Sequence, residues 1–320
     1  MSANIVIGTL PVEKLPSKSH SKGFIKASIF CLLLAIAQTG AAKQQADAEG
    51  QFCYLPTLSN VAYSSIAELP VSSQSHIIAY GNDRFQFAEL WLPLAANSDD
   101  IQAQLEPRRS APLVVLVHGG CWLNSFDITH THALSAALSQ SGYAVWSVEY
   151  RRTGDQGGGW PGSYNDIKSA ISYLPELAEF PVDLDNVAIA GHSAGGHLAL
   201  LAGADHLYNF KAVIGLAAIV DLAKYAQGEN SCQTATPAFM GGSVEELPEA
   251  YLAANPAKRV LHKTSVLLHG KQDSIVSIEH AKSSNTRVRL IDGGGHFDMV
   301  HPGTQSFQTL LQELARAFAK

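Results

Sequence analysis

The chain has 320 residues, long enough to bury one sizeable core and short for more than two. Its hydrophobic content of 46% is that of an ordinary globular protein, so a disordered or fibrous chain is excluded. The net charge of −6, with no basic stripe, argues against a nucleic-acid partner.

The first stretch reads as a targeting segment. Lys14, Lys18, Lys22 and Lys26 precede an uncharged apolar run at 27–37, and Gln38-Thr-Gly-Ala-Ala42 follows. This is the charged, apolar and small-residue order of a secretory signal, predicted over 1–42 with cleavage after Ala41 or Ala42. An uncleaved anchor is the rival reading, but the run is short for a membrane span, so no stable membrane insertion is expected after cleavage. Cys31 leaves with the signal, while Cys53, Cys121 and Cys232 remain. Export permits one disulfide and leaves one thiol over; Cys121 with Cys232 is one pairing, and Cys53 is an equally allowed partner.

Residues 43–75 are polar and rich in Ser and Ala, and read as a loosely held leader. Two strands over 76–80 and 85–92, joined by the turn residues Gly81-Asn-Asp83, predict an antiparallel pair. A polar loop spans 94–112. The run at 113–117 is Leu and Val throughout, as expected of a strand covered on both faces. A helix over 128–141, a strand over 143–150 and a Gly-rich loop over 151–162 come next. Helical periodicity runs from 163 to 178, with a kink or stop at Pro175. Strands at 187–190, 210–216, 265–269 and 287–291 then alternate with a helix in the Ala/Leu-rich run after Gly195 and with helices near 277–284 and from about Thr304 to the end. The irregular segment 221–262 reads as a small insertion over the C-terminal edge of the sheet. The alternation predicts an α/β fold: one domain over 76–320, with a mainly parallel, doubly wound sheet and an antiparallel N-terminal edge.

The chemistry gathers at strand ends. Gly191-His-Ser-Ala-Gly195 lies between a strand and a helix, the sequence form of a nucleophile elbow with Ser193 at the apex. A serine nucleophile needs a base and a carboxylate that holds the base's tautomer. Asp273 follows the strand at 265–269, and His296 follows three glycines after the strand at 287–291. That order, Ser193, Asp273, His296, is the one this architecture uses. Asp221 also follows a strand and is the rival acid, whereas Asp292 and Asp298 read as loop hydrogen-bonders. His118, His192, His197, His269 and His301 are rival bases with poorer placement. Backbone donors for a developing oxyanion are expected at Ala194, Gly119 and Gly120, the glycines lying in His118-Gly-Gly-Cys-Trp122. Trp122 and Trp160 are candidate cleft residues, with packing as their plainer reading. Glu149, Arg151 and Arg152 read as an ion-pair network at the sheet edge. No Cys/His spacing resembles a zinc site, and the chemistry requires no metal or cofactor.

His118-Gly-Gly-Cys-Trp, Gly191-His-Ser-Ala-Gly-Gly-His, His269-Gly-Lys-Gln-Asp and Gly295-His-Phe-Asp together resemble α/β-hydrolase-fold esterases of the hormone-sensitive-lipase and kynurenine-formamidase type, the BD-FAE-like group. The resemblance covers roughly 76–319 and weakens over 221–262. It implies the α/β-hydrolase fold, the triad Ser193, Asp273 and His296, an oxyanion hole at Gly119, Gly120 and Ala194, and no cofactor. The expected activity is hydrolysis of carboxylic esters with small to medium acyl groups by an exported serine hydrolase. An arylformamidase or peptidase uses the same machinery on an amide. A non-catalytic binding protein on the same fold is the reading from a different class.

Overall fold

The alternating pattern folds, among the described residues, into an eight-stranded sheet. The computed structural model describes residues 56–69, 71, 75–93 and 110–319, with a separate antiparallel pair of short strands, β1 (Gln44–Ala46) and β2 (Phe52–Tyr54). The predicted signal segment 1–42 and residues 94–109 of the predicted polar loop lie outside the described residues.

The sheet strands are β3 (Ser75–Ala79), β4 (Phe87–Trp91), β5 (Ala111–Val117), β6 (Ala144–Val148), β7 (Val182–His192), β8 (Ala212–Leu216), β9 (Ser265–Gly270) and β10 (Arg287–Ile291). Their spatial order is β10-β9-β8-β7-β5-β6-β4-β3. All neighbours pair in parallel except β3 with β4 and β4 with β6, which make the antiparallel edge. The chain thus has the α/β-hydrolase fold expected from its sequence.

The central strands read as unbroken apolar runs because helices cover both faces. On one face, Ile167 and Ile171 of α3 (Gly162–Ser172) and Leu198 and Leu201 of α4 (Ala194–Ala204) pack on Leu113, Val115 and Ile189. On the other, Leu134 and Leu138 of α2 (His132–Gln140) and Phe307, Leu310 and Leu314 of α10 (Gln305–Phe318) pack on Val114, Leu116 and Ile214. Each such side chain contributes roughly 1.5–3 kcal/mol on full burial. The helix expected over 163–178 stops at Ser172, and a 3-10 segment, Leu174–Glu179, takes over where Pro175 offers no backbone donor.

Two segments lie at the C-terminal edge of the parallel strands. The insertion 221–262 forms short helices: α5 (Leu222–Tyr225), α6 (Ser231–Thr234), α7 (Thr236–Met240) and α8 (Pro248–Ala253). The other segment belongs to the stretch expected to be a loose leader, and here the structure differs. The backbone N–H groups of Asn60 and Val61 donate to the carboxylate of Asp298, at 2.9 and 2.8 Å. Leu58 donates its N–H to Gly303. A single helical turn, α1 (Tyr63–Ala67), follows, and its Ile66 is buried. Composition reads this segment as loose because its anchors are backbone donors, which every residue but proline carries. No helix among the described residues is long and apolar enough to cross a membrane.

Candidate active site

The turn from β7 into α4 places Ser193 at φ 55° and ψ −117°, a conformation that costs a non-glycine residue on the order of 1–3 kcal/mol. The surroundings hold it there. The Ser193 N–H donates to Leu216 O at 2.8 Å, and its carbonyl accepts the His197 N–H at 3.1 Å. The flanking glycines are steric necessities. A Cβ on Gly191 would stand 2.2 Å from Gly195 O, and one on Gly195 would stand 2.2 Å from His118 O. Ala194 is the first residue of α4, so its N–H has no intrahelical acceptor.

Asp273 and His296 meet as the chain order predicts. His296 Nδ1 donates to Asp273 Oδ2 at 2.8 Å, which leaves Nε2 as the imidazole's free lone pair. The other oxygen, Asp273 Oδ1, accepts the N–H groups of Ile275 and Val276 at 2.8 and 2.9 Å. Burial works to raise the Asp273 pKa. Hydrogen bonds from His269 and His296, and their charge, outweigh it and hold the carboxyl well below its usual range. The His296 ring is 4.7 Å from that of His192, whose Nε2 donates to the His296 carbonyl at 3.1 Å. The base therefore lies against the residue that precedes Ser193. Ser193 and His296 are nearly enclosed, at 2% and 6% exposure.

The rival groups are engaged elsewhere. Asp221 caps α5 through the Lys224 N–H and accepts from Asn255 Nδ2 at 2.8 Å. Asp292 pairs with Lys271 on the surface, and Asp298 holds the N-terminal segment. His197 Nε2 donates to Ala254 O, and His269 Nε2 lies 2.8 Å from Val276 O and 3.4 Å from Asp273 Oδ2, behind the acid. His118 bonds Glu149 at 2.9 Å and stacks on Tyr150. His301 Nδ1 accepts the Gly303 N–H. Among the described residues, no cluster of His, Cys, Asp or Glu could hold a metal ion.

The loop after β5 corrects one expectation. Gly119 N–H points at the buried Nε2 of His130, 3.3 Å away, and is not free for a substrate oxygen. His130 Nδ1 donates to Asp127 O at 2.9 Å, which fixes Nε2 as an acceptor. Burial, with the charge of His118 beside it, pushes the His130 pKa down to about 3, so the ring stays neutral. Gly120 and Ala194 remain as donors. Gly120, Cys121 and Trp122 all have positive φ, at 99°, 55° and 57°. Several contacts fix this backbone: Leu123 N–H to Gly120 O, Thr153 N–H to Trp122 O, and a disulfide from Cys121 to Cys232 of α6.

Trp122 takes the plainer of its two readings, packing rather than a place in the cleft. It is fully buried, stacked on Phe239 of α7 at 4.5 Å, so it supports the loop and touches no substrate. Trp160 is partly exposed, stacks on Tyr164, and donates its backbone N–H to Phe239 O. The expected ion-pair network is buried rather than peripheral. Glu149 binds His118, Arg152 Nη1 and the Ile128 N–H behind the loop. Arg151 pairs with Asp166. Sequence reasoning missed His130 and Tyr63, whose importance arises only from contacts across the fold.

These parts are a strained serine, a tethered imidazole with a free lone pair, and backbone N–H groups beside them. Such a set can transfer an acyl group through a serine ester. The BD-FAE family model matches residues 100–288, more than half of the chain. The chain belongs to the BD-FAE family. Ser193 and Asp273 of this BD-FAE chain fall within the match, and His296 falls beyond it. Esterase LipC of Mycobacterium tuberculosis (strain ATCC 25618 / H37Rv) is 26% identical over 252 residues, 70% of this chain and 60% of LipC. The probable carboxylic ester hydrolase LipM of the same organism is 24% identical over 218 residues, 61% of this chain and 49% of LipM. The chain thus spans about half to three fifths of these relatives. Among solved structures, esterase B from Lactobacillus Rhamnosis (HN001) superposes with a TM-score of 0.62 at 20% identity, covering 80% of this chain and 90% of that one. A bacterial heroin esterase gives 0.59 at 19% identity, covering 80% and 88%. Both likenesses are of fold.

Proposed function

We propose that this BD-FAE chain is an exported serine hydrolase that cleaves carboxylic esters of small to medium acyl groups. The 2.8 Å bond from His296 Nδ1 to Asp273, beside a serine held at a strained strand-to-helix apex, carries the reading. His296 Nε2 takes the Ser193 proton as Oγ attacks the ester carbonyl. The N–H groups of Gly120 and Ala194 receive the charge that forms on the carbonyl oxygen. His296 then passes its proton to the departing alcohol oxygen, and water repeats the sequence on the acyl-enzyme. Asp273 stays ionised and holds the imidazole in the required tautomer. The names of LipC and LipM, an esterase and a probable carboxylic ester hydrolase, point the same way. Support for modest acyl size comes from the crowding at the oxyanion loop, where Phe239 of the insertion stacks on Trp122 and meets Trp160 of the Gly-rich loop. Support for export comes from the lysines and apolar run before residue 42, and from the Cys121–Cys232 disulfide, which suits an oxidising compartment.

The test is p-nitrophenyl acetate hydrolysis by wild type and Ser193→Ala, assayed in the cytosolic and extracytoplasmic fractions. The wild type should be active outside the cytoplasm, and the variant should lose at least about 10³-fold in kcat with an unchanged fold. Retained turnover in the variant would remove Ser193 from the chemistry. Activity confined to the cytosol would end the export reading. N-formyl aromatic amides and peptide amides in the same assay separate an esterase from an amidase.

A further inference from the structure

Three aromatic rings meet beside the site, and only one belongs to a segment that sequence patterning assigned to the domain's catalytic loops. Phe297 directly follows the base and stands edge-on to the His296 ring at 5.1 Å. Phe126 closes over the oxyanion loop so tightly that a Cβ on Gly120 would sit 2.4 Å from its own. Tyr63 of α1 touches both, with ring centroids 5.4 Å from Phe297 and 5.9 Å from Phe126, each in an edge-to-face arrangement. All three are partly exposed, and Tyr63 keeps 38% of its surface in solvent. Tyr63 and Phe297 lie outside the stretch matched by the family model, and Phe126 lies within it.

We propose that residues 58–67 form the alcohol-side wall of the ester cleft, and that Tyr63, with Phe126 and Phe297, binds a flat apolar alcohol group of the substrate. The inference rests on the ester-hydrolase reading. The base hands its proton to the leaving oxygen, so the alcohol lies on the His296 side. That side is the one these rings line. The acyl group faces the opposite side, where the partly exposed Trp160 of the Gly-rich loop stands, backed by the buried Phe239 of the insertion. The segment is registered against the base itself. Asn60 and Val61 bind Asp298, two residues past His296, and Asn60 packs on Gly295, where a Cβ would stand 2.3 Å from Asn60 Oδ1. Aromatic rings offer edges and faces to a second ring, a geometry that an alkyl alcohol does not exploit. Tyr63 also borders a cavity of about 210 Å³ shared with Ile66, His130 and Ala133, so trimming its ring leaves the main core intact.

The experiment varies one half of the ester at a time. At constant acetyl group, Tyr63→Ala should lower kcat/KM for 2-naphthyl acetate about tenfold more than for ethyl acetate, a difference of about 1.4 kcal/mol. At constant p-nitrophenol, its ranking of acetate, butyrate and hexanoate should match that of the wild type. Tyr63→Phe should restore the aryl preference, and Tyr63→Leu, which keeps bulk without a ring, should not. Equal losses on ethyl and naphthyl acetate, or a loss that follows acyl length, would overturn the assignment. A wild type that hydrolyses none of these esters would overturn the esterase reading and this one together.

Discussion

The N-terminal segment at 58–67 and the insertion at 221–262 border the same cleft, yet they are attached by different physics. The segment hangs on few points: two backbone donors to the Asp298 carboxylate, one to Gly303, and a ring against two others. The insertion is joined at many. A disulfide links α6 to the oxyanion loop, His197 donates to Ala254, Ala257 N–H reaches Val220 O, and Asn230 and Tyr225 both donate to Ile275 O. One wall is therefore separable and the other is built into the domain. The separable wall carries selectivity at little cost in stability, whereas the integral one holds catalytic geometry.

The largest test of that contrast removes the covalent tie. Cys232→Ser should cost about 2–5 kcal/mol, because the bond closes a loop of 111 residues. The midpoint of thermal unfolding should fall by on the order of 10 °C. With the positive-φ oxyanion loop released, turnover should fall with it. A midpoint unmoved in the variant would mean that the insertion stands without the bond.

Unlatching the other wall is a smaller change. Asp298→Ala strands the N–H groups of Asn60 and Val61 and should cost about 1–3 kcal/mol. Limited proteolysis reads the contrast directly, with new cleavage within 56–69 while 221–262 stays protected. Simultaneous cleavage of both would show that the two walls are one cooperative unit.

A third effect is in pH. His197 and His280 flank the insertion, and burial pushes both down to about 4. Unfolded, each has an ordinary pKa of about 6.5. Between those values the unfolded chain binds more protons, so stability falls as pH drops from about 6.5 toward 4. The slope is at most about 1.4 kcal/mol per pH unit for each histidine. Unfolding midpoints at pH 7 and pH 5 measure it, and His280→Gln should flatten the dependence. No slope in the wild type would contradict buried neutral histidines at this wall.

Local periodicity carried the sheet strands and the longer helices in order, because the central strands are apolar runs and helices such as Gly162–Ser172 and Gln305–Phe318 carry an apolar stripe, whereas the short helices of 221–262 left no such pattern. Ser193, Asp273 and His296 were legible for the same reason: each follows a strand and sits in a distinctive Gly-containing turn. What was not legible depends on contacts between distant segments. Gly119 reads as an oxyanion donor from its motif, and only the fold shows His130, 11 residues on, taking its N–H. Trp122 left both a cleft and a packing reading open, and the packing partner that decides it, Phe239, comes from a distant segment. Tyr63 sits in a polar leader whose anchors are backbone N–H groups, and these leave no mark on composition.

The disulfide also divides the chain in a way that sequence order hides. Residues 121–232 form a covalently closed ring that contains β6, β7, β8 and Ser193, while Asp273 and His296 lie outside it. A single backbone nick inside the ring leaves one covalent molecule. A nick at 233–264 leaves nucleophile and base on separate polypeptides, held together only by non-covalent contacts such as the pairing of β8 with β9. Proteolysis at this edge of the sheet would therefore have two outcomes, tethered on one side of Cys232 and dissociable on the other.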